Sequence, residues 1–146
     1  MPDSVQTVAV FNASDDTVEM LTVLLSNRGY RAVSGHADHV KSGVLDFIAF
    51  LKTHQPSAMI WDIAPPYDRN WNFAQLIRQL HPLDRCALVF TTTHKQHLDA
   101  LAGQETGALE IIGKPYDLEV IVNAVVEGLK RREKSVAHPF GQTGQS

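Results

Sequence analysis

Three side chains lying far apart in the chain, Asp62, Thr92 and Lys114, are the types that phosphoryl chemistry requires. A carboxylate can act as a nucleophile toward phosphorus, a hydroxyl can hold a phosphoryl oxygen, and an ammonium can neutralise the charge that remains. Each closes or follows a short apolar run. Asp62 ends Ala58-Met59-Ile60-Trp61, the pair Thr91-Thr92 ends Ala87-Leu88-Val89-Phe90, and Gly113-Lys114-Pro115 ends Leu109-Glu110-Ile111-Ile112. Asn12 and Ala13 follow a further run, Val8-Ala9-Val10-Phe11.

The elements that must carry these residues are legible in the spacing of apolar side chains. Short continuous runs are expected for strands buried on both faces, as in a parallel sheet, and Arg31-Ala32-Val33 supplies a weaker fifth. Between them apolar residues return at helical spacing: Val18, Leu21, Leu25; Val44, Phe47, Ile48, Leu51; Phe73, Leu76, Ile77, Leu80; and Leu118, Ile121, Val122, Val125, Leu129. The segment from His97 to Gly103 completes five helices. Strands alternating with helices predict right-handed crossovers and a doubly wound α/β sandwich of five parallel strands in the order 2-1-3-4-5. In such sheets ligands sit beyond the carboxyl ends of the strands, where the three side chains above converge.

The length of 146 residues suits one domain, expected over residues 5–134, with the Gly-, Gln- and Ser-containing stretch 135–146 read as an unstructured tail. The net charge of −3 gives no reason to expect a nucleic-acid partner. The single cysteine, Cys86, cannot close an intrachain disulfide, no apolar run approaches the length of a membrane span, and the first residues show no secretory pattern. The expectation is a cytoplasmic protein without a membrane partner.

Read in order, these motifs resemble the receiver domain of two-component response regulators, over nearly the whole of residues 5–134. Trp61-Asp62-Ile63-Ala64-Pro65-Pro66 is similar to the family's phosphoacceptor segment, and Lys114-Pro115-Tyr116 to its Lys-Pro-aromatic signature. Counting back from the latter without gaps places Thr92 at the switch hydroxyl. The resemblance implies the flavodoxin-like receiver fold, Asp62 as phosphorylation site, Thr92 and Lys114 as its helpers, and a cis Lys-Pro peptide. It also implies Mg²⁺, which the family holds through adjacent acids after the first strand. Here those positions read Asn12 and Ala13, so a metal held by Asp62 and Asn12 is weak or absent and phosphorylation is expected to be slow or absent. Ile111 stands where the family usually has an aromatic residue that moves with the switch hydroxyl. Ala64 and His94 occupy the positions that tune dephosphorylation.

The implied role is a stand-alone, atypical receiver in a phosphorelay, without enzymatic activity of its own. Its partners would be a histidine kinase, a phosphotransfer protein or a second copy of the chain. The usual contact face would be built from His97 to Gly103, Leu109 to Ile112 and Leu118 to Leu129. Two alternatives stay open: a pseudo-receiver that binds its partner without phosphorylation, in which Asp62 only pairs with Lys114, and an Asp-nucleophile phosphohydrolase, which lacks its second acid because Ala64 stands there. The pairs His36-x-x-His39 and His94-x-x-His97 have no third ligand nearby in sequence and are read as loop histidines. The run Lys130 to Lys134 is read as a complement to a helix end. His36 to Gly43 is longer than a receiver needs and is read as a loop insertion with no assigned role.

Overall fold

The structure is a computed structural model that describes residues 5–12, 14–43, 46–102, 110–113 and 117–137. Among these the strands are β1 (Thr7–Phe11), β2 (Arg31–Gly35), β3 (Ala58–Ile63), β4 (Ala87–Thr92) and β5 (Glu110–Gly113). The helices are α1 (Asp15–Asn27), α2 (Ala37–Lys41), α3 (Phe47–His54), α4 (Tyr67–Arg78), α5 (Lys95–Ala102) and α6 (Leu118–Ala137), with a 3-10 turn at His81–Leu83. All strand pairs are parallel and the sheet order is β2-β1-β3-β4-β5. This is the expected doubly wound sandwich.

Strand alternation divides the core into two layers. Val8, Val10, Ala58, Ile60, Ala87 and Val89 point to one face, where Leu21 and Leu25 of α1 and Ile121, Val122, Val125 and Leu129 of α6 cover them. The residues between them, including Ala9, Phe11, Met59, Trp61, Ile63 and Phe90, point to the other face, against Phe47 and Leu51 of α3, Trp71, Ala74 and Ile77 of α4, and Leu98 of α5. Two-sided burial explains why the strands read as unbroken apolar runs rather than as alternating ones.

Local signals set the helix ends. The Ser14 hydroxyl accepts from the Thr17 backbone N–H at 3.2 Å, and the Asp46 carboxylate caps α3 through Ala49 N–H at 3.1 Å. Gly29, with φ of +90°, takes the left-handed conformation that turns the chain from α1 into β2.

Three expectations change. Residues 36–43, read as a loop, contain the short helix α2, so the described chain has six α-helices where five were expected. Leu76, placed in an apolar stripe, is 66% exposed, while Trp71 and Ala74 face the sheet in its stead. Ile77, Phe73 and Leu80 keep their expected contact with the core, so only Leu76 leaves the stripe. Helix α6 also runs through Ala137 and takes in the first residues of the stretch read as a tail. Nothing between Lys130 and Ala137 breaks a helix. Lys130 therefore lies well before the helix end, with its Nζ 3.8 Å from Glu127 Oε2. Val44 and residues 138–146 lie outside the described residues.

The two leucines give a direct check on the assigned faces. Leu25→Ala empties a fully buried site and is expected to cost about 2–5 kcal/mol in denaturant unfolding. Leu76→Ala is expected to stay within about 0.5 kcal/mol of the unsubstituted protein.

Candidate functional site

Asp62 sits on the last turn of pleat in β3, one residue before the strand ends. Its position in the alternation puts it on the face of Ala58 and Ile60, the α1 and α6 side. The register of β3 with β4 sets Asp62 beside Thr91 and Ile63 beside Thr92. Thr91 Oγ1 donates to Asp62 Oδ1 at 2.5 Å, the short separation typical of a hydroxyl on a charged oxygen. Thr91 is buried and Asp62 is half-buried, so the carboxylate is reachable while its hydroxyl partner is shielded.

Thr92 is placed differently from the sequence expectation. It is fully buried on the opposite face, with Ile63 as its register partner, and its Oγ1 accepts from the His94 backbone N–H at 3.2 Å. That bond shapes the turn into α5, a common use of a threonine at a strand end. The hydroxyl brought to Asp62 thus belongs to the preceding residue. Counting without gaps from Lys114 gives a position one residue too late, and in a strand one residue changes the face.

Asn12 extends the parity of Val8 and Val10 and so lies on the Asp62 side of the sheet, 4% exposed. Its Oδ1 accepts from the Ser14 backbone N–H at 2.8 Å, forming the turn that starts α1. Asp15 and Asp16 stand exposed in the first turn of that helix. Lys114, Ala13, Pro115 and Tyr116 lie outside the described residues, as does the Ile111 side chain.

The loop leaving Asp62 is tied down by residues that the sequence reading passed over. Asn70, 7% exposed in the first turns of α4, donates from Nδ2 to the Ala64 carbonyl at 2.7 Å. Lys41 of α2 donates from Nζ to Asn70 Oδ1 at 3.1 Å and lies 3.3 Å from Asp38 Oδ1. Tyr67 and Thr93 hydrogen-bond through their hydroxyls, and the Tyr67 ring meets His94 edge-on at 5.6 Å. A bridge therefore joins the loops that follow β3 and β4. The signal for Asn70 was its spacing from Ala74 and Ile77, which puts an amide on the buried face of a helix. Tyr67 and Lys41 left no comparable trace.

The His36 and His39 rings lie 4.9 Å apart, and among the described residues no three of His, Cys, Asp and Glu gather as a metal site. No described helix is long and apolar enough to cross a membrane. On the face expected for partner contact, Leu101 and Val120 are 38% and 49% exposed, and the side chains from 102 to 116 lie outside the described residues.

Replacing the hydroxyl separates the two threonines. Thr91→Val is expected to move the Asp62 side-chain carboxyl ¹³C resonance and to cost about 1.5–3 kcal/mol in unfolding, the value of a hydrogen bond to a charged group. Thr92→Val is expected to leave that resonance in place.

No protein-family profile matches the chain. In sequence it is 28% identical over 86 residues to response regulator Rre1 of Synechocystis, a match covering 59% of this chain and 37% of that protein. In structure it is similar to a response regulator receiver protein of Sinorhizobium medicae, at TM-score 0.65 and 20% identity over 88% of this chain and 98% of that one. A response regulator of Thermotoga maritima superposes at TM-score 0.66 and 16% identity, over 87% and 99% of the two chains. A receiver domain of Methylobacillus flagellatus does so at 0.59 and 20%, over 84% and 99%. With its parallel sheet in the order 2-1-3-4-5 and an aspartate one residue before the end of the central strand, the chain has the fold of a response regulator receiver domain.

Proposed function

We propose that the chain works as a receiver in a phosphorelay, with Asp62 as phosphoacceptor, and that it acts on other proteins by presenting an altered surface. The observation that carries this reading is the Asp62–Thr91 contact at the carboxyl edge of β3 and β4, half-open to solvent. An Asp62 carboxylate oxygen attacks phosphorus, the bond from phosphorus to the donor's imidazole nitrogen breaks, and the imidazole keeps the electron pair and takes up a proton. The product is an acyl phosphate on Asp62. Thr91, released from the carboxylate, donates its hydroxyl to a phosphoryl oxygen, and Lys114 supplies the cation that balances it. Thr93 then lies two residues past the hydroxyl, taking over from His94 the position that in the family tunes dephosphorylation. Its bond to Tyr67 gives that position a partner from the facing loop.

The described donors do not fit a bound Mg²⁺. The ion is ordinarily held through one or two carboxylates with near-octahedral geometry. Beside Asp62 stands Asn12, which is neutral, and its oxygen already accepts from Ser14 N–H. No step above passes through a metal. The same observation favours the second reading, a phosphorylation-independent module for which the Asp62 contacts only hold the sheet edge. A phosphohydrolase is the weakest fit, because Ala64 offers a methyl where that chemistry needs an acid, and its carbonyl is engaged by Asn70. Candidate partners are a histidine kinase, a phosphotransfer protein or a second copy of the chain.

Beryllofluoride, which mimics an acyl phosphate on aspartate, decides between the readings. In ¹⁹F NMR the phosphoacceptor reading expects a bound signal without added Mg²⁺, lost in Asp62→Asn and weakened about tenfold or more in Thr91→Val. A protein that shows no bound signal with or without Mg²⁺, yet still captures its partner, would establish the phosphorylation-independent module. Sustained release of phosphate from an ester would point to the hydrolase.

A further inference from the structure

The helix α2, in the segment that a minimal five-helix pattern lacks, reaches the loop that leaves the candidate phosphoacceptor. We propose that Lys41 and Asn70 are positioning residues that couple this insertion to Asp62. Asn70 is almost fully buried, and a buried amide is stable only when both of its ends are satisfied. Here Nδ2 donates to the Ala64 carbonyl at 2.7 Å and Oδ1 accepts from the Lys41 ammonium at 3.1 Å. An ammonium has only donors and a backbone carbonyl only acceptors, so one orientation of the amide serves both. Lys41 and the Ala64 carbonyl thereby fix together which way Asn70 faces.

The ammonium also withdraws electron density from Oδ1 and makes the amide N–H a stronger donor, the behaviour of linked hydrogen bonds partly shielded from water. Ile63, fully buried, anchors the chain immediately after Asp62, and the Asn70 amide anchors the next carbonyl. With both held, the peptide carrying Asp62 has little room to tilt. Asp38 steadies Lys41 from its own helix, at 3.3 Å, but its carboxylate is mostly exposed and the pair contributes little by itself. A partner that shifts α2 would release the Ala64 carbonyl and alter the setting of the carboxylate, which makes the insertion an input to the site.

The coupling is read in the free protein, so its test does not need Asp62 to accept a phosphoryl group. In ¹³C NMR, Lys41→Met is expected to move the Ala64 backbone carbonyl, the Asn70 side-chain amide and the Asp62 carboxyl resonances beyond the spread given by Lys52→Met, an exposed control on α3. Lys41→Arg, which keeps a cationic donor, is expected to restore them. Unchanged Ala64 and Asp62 resonances in a folded Lys41→Met protein would overturn the proposal, as would an Arg variant indistinguishable from Met. Its consequence for phosphoryl chemistry rests on the phosphoacceptor reading: beryllofluoride affinity should fall about tenfold in Lys41→Met. Absence of beryllofluoride binding in the unsubstituted protein would remove that reading and leave the coupling to be judged on the three resonances.

Discussion

The site depends on the alternation of side chains along two neighbouring parallel strands. Asp62 and Thr91 are register partners, so their side chains leave the sheet on the same face and within hydrogen-bond reach. The residues on either side of each go to the other face and into a continuous apolar layer: Trp61 and Ile63 from β3, Phe90 from β4. That packing makes the register costly to change, because a slip of one residue would bury Asp62 among aromatic rings and bring Trp61 to the α1 side. The aromatic layer of Phe11, Phe47 and Trp61, with ring centroids 5.1 to 6.0 Å apart, is therefore what holds the carboxylate in place from behind.

Around this pair the loops act as struts. The bond between Tyr67 and Thr93 ties the segment after β3 to the segment after β4, and Asn70 ties the backbone two residues past Asp62 to helix α4. On the opposite side, Asn12 spends its oxygen on the turn into α1. An aspartate at that position would bring a second negative charge to the Asp62 side of the sheet, which a dication would then have to offset. Asn12 brings no charge there, which is the chemistry behind the metal-free reading proposed above. The absence of an acid at position 12 and the engagement of the asparagine oxygen are thus one feature seen from the sequence and from the structure.

Much of the architecture was legible in advance because it rests on local rules. Unbroken apolar runs signalled strands buried on both faces, and helical stripes with Ser14 and Gly29 at the boundaries of α1 marked where the chain turned. The alternation of strands and helices gave the doubly wound class, for which 2-1-3-4-5 is the common order of five strands. Errors came where local signals were weak or where several apolar positions of one helix competed for the buried face. Leu76 and Trp71 are both apolar, and only packing against the sheet decided that Trp71 would be inside. Residues 36–43 carried no strong stripe, yet a short helix forms there, with Ala37 in the core and Lys41 held by α4.

From the order of residues alone came the fold class, the strand order, Asp62 as the carboxylate at the end of the central strand, and the missing acid at Asn12. The fold class follows from periodicity and residue type, which act over a few neighbours, while the strand order is the common one for that class and the missing acid is a departure that the receiver resemblance brings out. Tertiary structure alone decided which threonine meets Asp62, because the sequence offers Thr91 and Thr92 side by side and only the register of β4 against β3 tells them apart. It alone decided that Lys41, distant in the chain, reaches the Asp62 loop through Asn70. Both depend on contacts between elements far apart in sequence, and such contacts are chosen by the packing of the whole core rather than by any short stretch of it.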